Sequence, residues 1–360
     1  MKQFVPYLFL FLFLVVLVTA NIYLARRFNF YFSIENTKIL FFVFPALSLL
    51  MIFGLIPLAN ATSNLASLVY ILAAVTMGVL LYLLLIVLLV DLVRIFTNFS
   101  PNTYGIITLS ATFLISLYGF LNTLNVRVTE KELRIDNLQK EVRAMHISDV
   151  HIGHLRGKAF MQQIVDKTNR QNVDVVFITG DLFDGKKHLN KDVLLPLTKL
   201  DAPVYFIEGN HDRYTGVETI KGYLRESGVN VLENEVVNWN GLQIIGLNHM
   251  RPDNKSANMH AAGNHETIQG VLGKLPVDQN KTVILLHHSP DGIEYASENG
   301  ADLYLAGHTH AGQLFPIIYI AELLFKYNKG LHHFDGTKLF VSRGAGTFGP
   351  PMRVGTSSEI

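Results

Sequence analysis

Four apolar stretches near the N-terminus constrain this chain more than any other feature. Val5–Ala25, Ile39–Leu58, Leu68–Val90 and Tyr104–Leu124 carry no charge in their interiors. Each runs about twenty residues, enough for a helix rising 1.5 Å per residue to cross ~30 Å of hydrocarbon. In lipid every backbone N–H and C=O must be satisfied within the chain, so such stretches are expected to be membrane-spanning helices. A cleaved signal peptide is an alternative for the first stretch alone, since Lys2, an apolar run and Val18-Thr19-Ala20 fit that outline. The flanking charges give opposing signals about orientation. Arg26, Arg27 and Lys38 in the first loop and Arg94 in the third favour the cytoplasm for those loops, whereas Arg127, Lys131, Arg134 and Lys140 after the fourth stretch pull the other way. Four spans put both termini on one side and leave open which side that is.

The texture changes near residue 125. Residues 1–125 hold seven charged side chains, while the remaining 235 hold 52 of them and all 14 histidines. This predicts a membrane domain over 1–125 and a water-soluble domain over 126–360. The latter balances 25 basic against 27 acidic residues, so no basic field points to nucleic acid as a partner. The absence of cysteine excludes disulfides, thiolate zinc sites and thiol nucleophiles.

The soluble half repeats one pattern: a short apolar run, a polar turn, then a helical stretch. Val142–Ile147 leads into Ser148-Asp149-Val150-His151, Val173–Thr179 into Gly180-Asp181-Leu182-Phe183-Asp184, and Pro203–Ile207 into Glu208-Gly209-Asn210-His211-Asp212. Val283–Leu286 leads into His287-His288-Ser289-Pro290, and Leu303–Ala306 into Gly307-His308-Thr309-His310. Helical patterns over Phe160–Asn169, Val193–Leu200 and Glu218–Glu226 separate the first strands. Buried strands alternating with helices predict α/β layers, with ligands collecting beyond the carboxyl ends of the strands.

Each of those five ends carries a side chain able to bind metal. Aspartate, asparagine and imidazole together suit manganese, iron or zinc better than the all-oxygen shell of calcium. The set is too large for one tetrahedral site, so two ions are expected. A pair ~3.5–4 Å apart is the arrangement that hydrolyses phosphate esters, and it requires a bridging carboxylate.

These blocks resemble the calcineurin-like metallophosphoesterase superfamily: Asp149-x-His151, Gly180-Asp181-x-x-Asp184, Gly209-Asn210-His211-Asp212, His288 and Gly307-His308-Thr309-His310. The tail from Val341 to Thr347 and through Glu359-Ile360 is similar to a bacterial branch of membrane-associated phosphohydrolases. The resemblance implies a four-layer αββα sandwich after the four transmembrane helices. It implies Asp149, His151 and His310 around a first divalent ion, Asn210, His288 and His308 around a second, and Asp181 between them, with manganese preferred and iron or zinc as alternatives. His211 would donate a proton to the leaving group, Asp212 would orient its imidazole, and Asp184 would fix a ligand histidine. The reaction implied is attack on phosphorus by a metal-bridged hydroxide. Two departures stand out. His287 adjoins His288, and the spacing to Pro290 favours His288 as the ligand. Gly246-Leu247-Asn248-His249 replaces a Gly-x-Asp-Asp common in that branch, which leaves His249 as either a site-lining or a surface residue.

Other signals are weaker. Gly344-Ala345-Gly346-Thr347-Phe348-Gly349 fits a dinucleotide fingerprint in letters only, because Pro350-Pro351 follows where a helix is needed. A sharp turn near the site is the better reading. Arg343 and His154 are candidate substrate contacts, while His188, His260, His265, His332 and His333 read as surface or packing residues. The apolar run Phe315–Phe325 directly after His310 reads either as a helix packed on the sheet or as a lipid-facing lip. Together these features predict a multi-pass protein of the bacterial cytoplasmic membrane. Its expected partners are the lipid bilayer and a phosphorylated small-molecule or lipid-linked substrate, with phosphoester or pyrophosphate hydrolysis as the reaction. The alternative is a membrane sensor or scaffold with a non-catalytic domain of the same shape.

Overall fold

The computed structural model describes residues 5–136, 138–256 and 266–360, so His260 and His265 lie outside the described residues. Helices α1 (Val5–Phe32), α2 (Lys38–Leu55), α3 (Asn64–Arg94) and α4 (Pro101–Thr123) come first. Each is long and apolar enough to cross a membrane, judged over Phe11–Phe32 for α1. Their ends differ from the apolar stretches because a cap or a breaker, not the last apolar residue, stops a helix. Ser63 starts α3 by accepting a hydrogen bond from the Ala66 amide at 3.2 Å, and α3 continues past Asp91 to Arg94. Asp91 is paired rather than bare, since Arg27 and Arg94 reach it at 2.6 and 2.9 Å and the Tyr23 hydroxyl donates to it. Pairing of this kind makes a carboxylate tolerable at the end of an apolar helix.

The four helices belong to one compact unit, and Asn122–Phe348 with Arg353–Ile360 to the other. The second unit opens with strands β1 (Ala144–Ile147), β2 (Ile152–Gly153), β3 (Val175–Thr179), β4 (Phe183–Asp184), β5 (Val204–Ile207) and β6 (Asn230–Val231). It continues with β7 (Glu235–Trp239), β8 (Leu242–Gly246), β9 (Val283–Leu286), β10 (Leu303–Ala306), β11 (Gly330–Phe334) and β12 (Thr337–Val341). Its helices are α5 (Lys158–Asn169), α6 (Lys191–Leu194), α7 (Asn210–Thr215), α8 (Val217–Glu226), α9 (Ile268–Leu272), α10 (Ile293–Glu298) and α11 (Ile317–Leu324). The stretch expected as one helix over Val193–Leu200 divides into α6 and a 3₁₀ turn at Leu195–Lys199, where Pro196 interrupts the α-helical bonding.

One sheet runs β1-β3-β5-β6, all parallel, a second runs β11-β12-β10-β9-β8-β7, parallel except at its two edges, and β2 and β4 form a small parallel pair of their own. The alternation of side chains along each strand builds the layers. Val175 and Phe177 of β3 join Ile284 and Leu286 of β9 and Leu303 and Leu305 of β10 in the core between the sheets. Val176 and Ile178 face the other way onto Ile164 and Val165 of α5 and Ile220 and Leu224 of α8. On the far side, Leu285, Tyr304 and Ala306 pack with Ile268 and Leu272 of α9 and Ile293 and Ala296 of α10. The result is an αββα sandwich. Because both faces of the central strands are buried, they read in sequence as unbroken apolar runs.

Candidate metal centre

The five polar turns at the carboxyl ends of β1, β3, β5, β9 and β10 converge. Asp149, His151 and His310 form one group, Asp181, His288 and His308 another, and His151, Asp184 and His211 a third, each with ligand atoms within 4.8 Å of one another. His151 Nε2 and His310 Nε2 are 3.0 Å apart, and Asp149 Oδ1 lies 3.4 Å from the latter. Asp181 Oδ2 is 3.1 Å from His288 Nε2 and 3.8 Å from His151 Nε2, so one carboxylate oxygen stands between the first two groups. His308 Nδ1 is 3.2 Å from His288 Nε2.

The turns that deliver these groups are tightly held. Asp149, His151, Asp181, His308 and His310 all have positive φ, between 49° and 73°. Non-glycine residues rarely adopt this region, and each such residue costs on the order of 1–3 kcal/mol that the surroundings must offset. Backbone bonds to the carboxylates contribute: the His308 amide donates to both oxygens of Asp149 at 3.1 Å, and the His211 amide donates to Asp181 Oδ1 at 2.8 Å. At Gly307 an added Cβ would lie 1.9 Å from Ser148 Oγ and 2.2 Å from Asp149 Oδ2. Only glycine lets the β10 turn approach the Asp149 carboxylate this closely.

The buried charges bias one another. Burial raises the Asp181 carboxyl, but His288 and His211 outweigh it and hold Asp181 well below the usual range. Burial lowers His288, yet Asp181 overrides it and lifts the imidazole to about 9. Asp149 is pushed up by burial, and His310 is pushed well down by burial and then by His151. His288 Nδ1 donates to the Thr179 carbonyl at 2.8 Å, which turns Nε2 toward Asp181. His287 is held differently. Its Nδ1 donates to the Ser289 carbonyl at 2.8 Å and its Nε2 accepts from the Met250 amide at 3.3 Å, so both ring nitrogens are engaged by backbone. Buried His249 lies against the cluster, with its ring 5.8 Å from His288 and 6.3 Å from His308.

The donor set fits divalent cations. Asn210 Oδ1 and His151 Nδ1 are buried without a hydrogen-bond partner among the described residues. Leaving such atoms bare costs about 1–3 kcal/mol each. For Asn210, the first residue of α7, between Gly209 and the His211 amide that bonds Asp181, a cation would satisfy that lone pair.

The family model that matches residues 142–312 is that of the calcineurin-like phosphoesterases. A metallophosphoesterase of Aquifex aeolicus is 32% identical over 260 residues, covering 69% of this chain and 94% of that relative. The chain belongs to the calcineurin-like phosphoesterases. A Helicobacter pylori metallophosphoesterase is 35% identical over 246 residues, covering 65% of this chain and only 62% of its own length. A Danio rerio protein named for a transmembrane part and a metallophosphoesterase domain is 30% identical over 274 residues, covering 71% of this chain and 61% of its own. Calcineurin-like phosphoesterases bind divalent metal ions, and the clusters above offer the groups to hold them. The four apolar helices support membrane association for this member.

Around this family's centre two of the expected contacts differ. Asp212 does not touch the His211 imidazole; its oxygens accept from the amides of Phe183 and Gly209, both at 2.9 Å. The reason is local. Asp212 is the third residue of α7, where a carboxylate folds back onto the cap amide. Asp184 takes the orienting place instead, with Oδ1 accepting from His211 Nδ1 at 3.0 Å, while its other oxygen stays 3.7 Å from His151 Nδ1, too far for a hydrogen bond. Burial raises Asp184, but His151 and His211 hold it below the usual carboxylate range. For His211 burial opposes the charge, and Asp181 with Asp184 lifts it to about 9.

Arg343 pairs with Glu359 at 3.5 Å and donates to Ser357 at 3.2 Å. His154 is buried as an electrostatic neighbour of His188 and joins none of the three ligand groups. The glycine run forms a turn against the first ligand loop, with the amides of Ala345 and Gly346 donating to the Ser148 and Asp149 carbonyls at 2.9 and 2.7 Å. Sequence reasoning missed three neighbours. The exposed rings of Phe348 and Tyr214 lie 5.1 and 5.6 Å from His211, and Arg353 is wholly buried under the glycine turn. Tyr214 had a signal, since it follows His211 by three residues on one helix face. Phe348 and Arg353 had none.

Proposed function

We propose that this chain is a membrane-anchored hydrolase of phosphoester or phosphoanhydride bonds that works with two divalent cations, manganese first among them. The supporting observation is the position of Asp181 Oδ2, 3.1 Å from a ligand nitrogen of one group and 3.8 Å from a ligand nitrogen of the other. Asp149, His151 and His310 would hold one ion, Asn210, His288 and His308 the second, with Asp181 shared. When bound, such ions acidify water and neutralise the charge that grows on a phosphoryl group.

The chain's own residues supply the rest. His211 stands beside both groups with one ring nitrogen anchored by Asp184, which leaves the other to give a proton to a departing oxygen. Phe348 and Tyr214 flank that imidazole with exposed rings, giving the leaving-group side an apolar wall. That wall and the four helices favour a lipid-linked phosphodiester or pyrophosphate over a soluble substrate, and the bacterial cytoplasmic membrane is the proposed location. A nucleic-acid substrate is disfavoured by the near-neutral balance of the soluble half, because phosphate backbones are bound by basic surfaces.

The purified full chain in detergent, assayed on bis(p-nitrophenyl) phosphate, tests this reading. Activity is expected to vanish on chelation and return with Mn²⁺; equal rates before and after chelation would sink it. Asp184→Asn is expected to lower kcat by about 10–100-fold, the usual effect of freeing an oriented imidazole. Steady-state kinetics on the metal-loaded variant measure that loss.

A further inference from the structure

We propose that α11 is an interfacial helix that seats the metal-centre end of the sandwich in a lipid bilayer. Its sequence, Ile-Ile-Tyr-Ile-Ala-Glu-Leu-Leu, buries one side chain, Ala321. Ile317 and Ile318 are half-buried, so the part of the run facing the protein is short. Tyr319, Ile320, Leu323 and Leu324 fall at i, i+1, i+4 and i+5, a single stripe on a helix, and all four are exposed. Leu323 is 87% and Leu324 66% exposed, values that a helix packed on the sheet would not show. Phe315 extends the stripe, with its ring 5.9 Å from that of Tyr319. A continuous apolar patch of this kind marks an interaction site rather than ordinary surface.

The occupant follows from the rest of the chain. Four helices of membrane-spanning length are covalently joined to this domain, so a bilayer is its permanent neighbour. Lysines border the stripe. Glu322, the one acidic or basic residue in α11, is paired with Lys329 at 2.8 Å, and Lys326 is exposed and lies over the Tyr327 ring. Apolar residues with a tyrosine, edged by lysines whose stems can lie along the boundary, match an anionic membrane surface.

The placement bears on the centre. The 3₁₀ turn holding His310 leads into α11, and Phe325 at its far end sets its ring edge-on to His308 at 5.8 Å. Immersing α11 would bring the ligand groups to headgroup depth. That consequence for substrate rests on the hydrolase reading, whereas the docking itself does not.

The chain has no cysteine, so single labels are unambiguous. Leu323→Cys and Ile320→Cys, each spin-labelled in the full chain in nanodiscs of phosphatidylethanolamine and phosphatidylglycerol, are compared with Glu226→Cys at an exposed position of α8. Collisions with oxygen are expected to rise severalfold and collisions with a water-soluble nickel chelate to fall severalfold relative to that control. Labels matching the control would overturn the proposal. So would labels shielded from both reagents with spin–spin broadening, which would assign the stripe to a second copy. Immersed labels on a protein inactive toward every phosphoester would defeat the hydrolase reading and leave this one standing, and active protein with labels in water would do the reverse.

Discussion

Asp181→Asn is expected to lower kcat/KM on an activated phosphodiester by about a thousandfold while the chain stays folded. Asparagine keeps the size of the side chain and an oxygen for the His211 amide, which donates to Asp181 Oδ1 at 2.8 Å. What it loses is a full negative charge, held low by His288 and His211 against the cost of burial. That charge faces both ligand groups through one oxygen, so its removal weakens both sites together. Loss of several kcal/mol of transition-state stabilisation, about 4 kcal/mol, corresponds to three powers of ten at 1.36 kcal/mol each. Kinetics with metal content measured on the same sample decide it: the variant should hold less metal, and a wild-type rate would show that Asp181 has no part in the chemistry. His211→Ala gives a contrasting signature. It should cost about 10²–10⁴-fold while metal content holds, with the larger losses on substrates whose leaving oxygen most needs a proton. Similar losses on good and poor leaving groups would remove the acid role from His211.

Most of the architecture could be read from the chain because buried parallel strands are apolar throughout and the turns after them are not. Val175–Thr179 followed by Gly180-Asp181 is one example, and Leu303–Ala306 followed by Gly307-His308 another. The edge hairpins also carried a signal: Asn240-Gly241 joins β7 to β8 and Asp335-Gly336 joins β11 to β12, with positive φ at all four residues. The contacts around His211 were less legible. Asp212 is its neighbour in sequence, but the geometry of a helix start turns that carboxylate onto the Gly209 amide. Asp184, 27 residues away, reaches the ring because β4 and α7 pack together. The two arginines make the same point. Arg343 sits beside the glycine turn and drew attention, yet it pairs with Glu359, while Arg353 carries the turn and nothing in its sequence surroundings marks it.

Arg353→Met should be among the most destabilising single changes in the soluble unit. The residue is 0% exposed, and among the described residues no carboxylate forms an ion pair with it. Its guanidinium is satisfied by backbone instead. Nη2 donates to the carbonyls of Arg343, Gly346 and Gly344 at 2.6, 2.8 and 3.2 Å, Nε donates to Gly346 at 3.2 Å, and Nη1 donates to His310 at 3.2 Å. Burial, then Arg156, lowers its pKa to about 9, which leaves it charged at neutral pH. Methionine would relieve the cost of burying that charge but would strand the Arg343 and Gly346 carbonyls, each worth about 1–3 kcal/mol when unsatisfied, and would leave those of Gly344 and His310 with only the Glu359 and Gln313 amides. Two such carbonyls amount to about 2–6 kcal/mol, so the carbonyl term is expected to win. For a unit of this size that is a fall of about 10 °C in the melting midpoint. Arg353→Lys should recover only part of it, because an ammonium offers three donors from a point and the carbonyls are spread around a planar fork. The same contacts hold the His310 carbonyl at a residue whose φ is +49°, so the methionine variant should also bind Mn²⁺ more weakly. Thermal unfolding of the full chain in detergent, with a Mn²⁺ titration of each variant, checks both effects. An unchanged midpoint with unchanged affinity would mean that the glycine turn holds the ligand loop without Arg353.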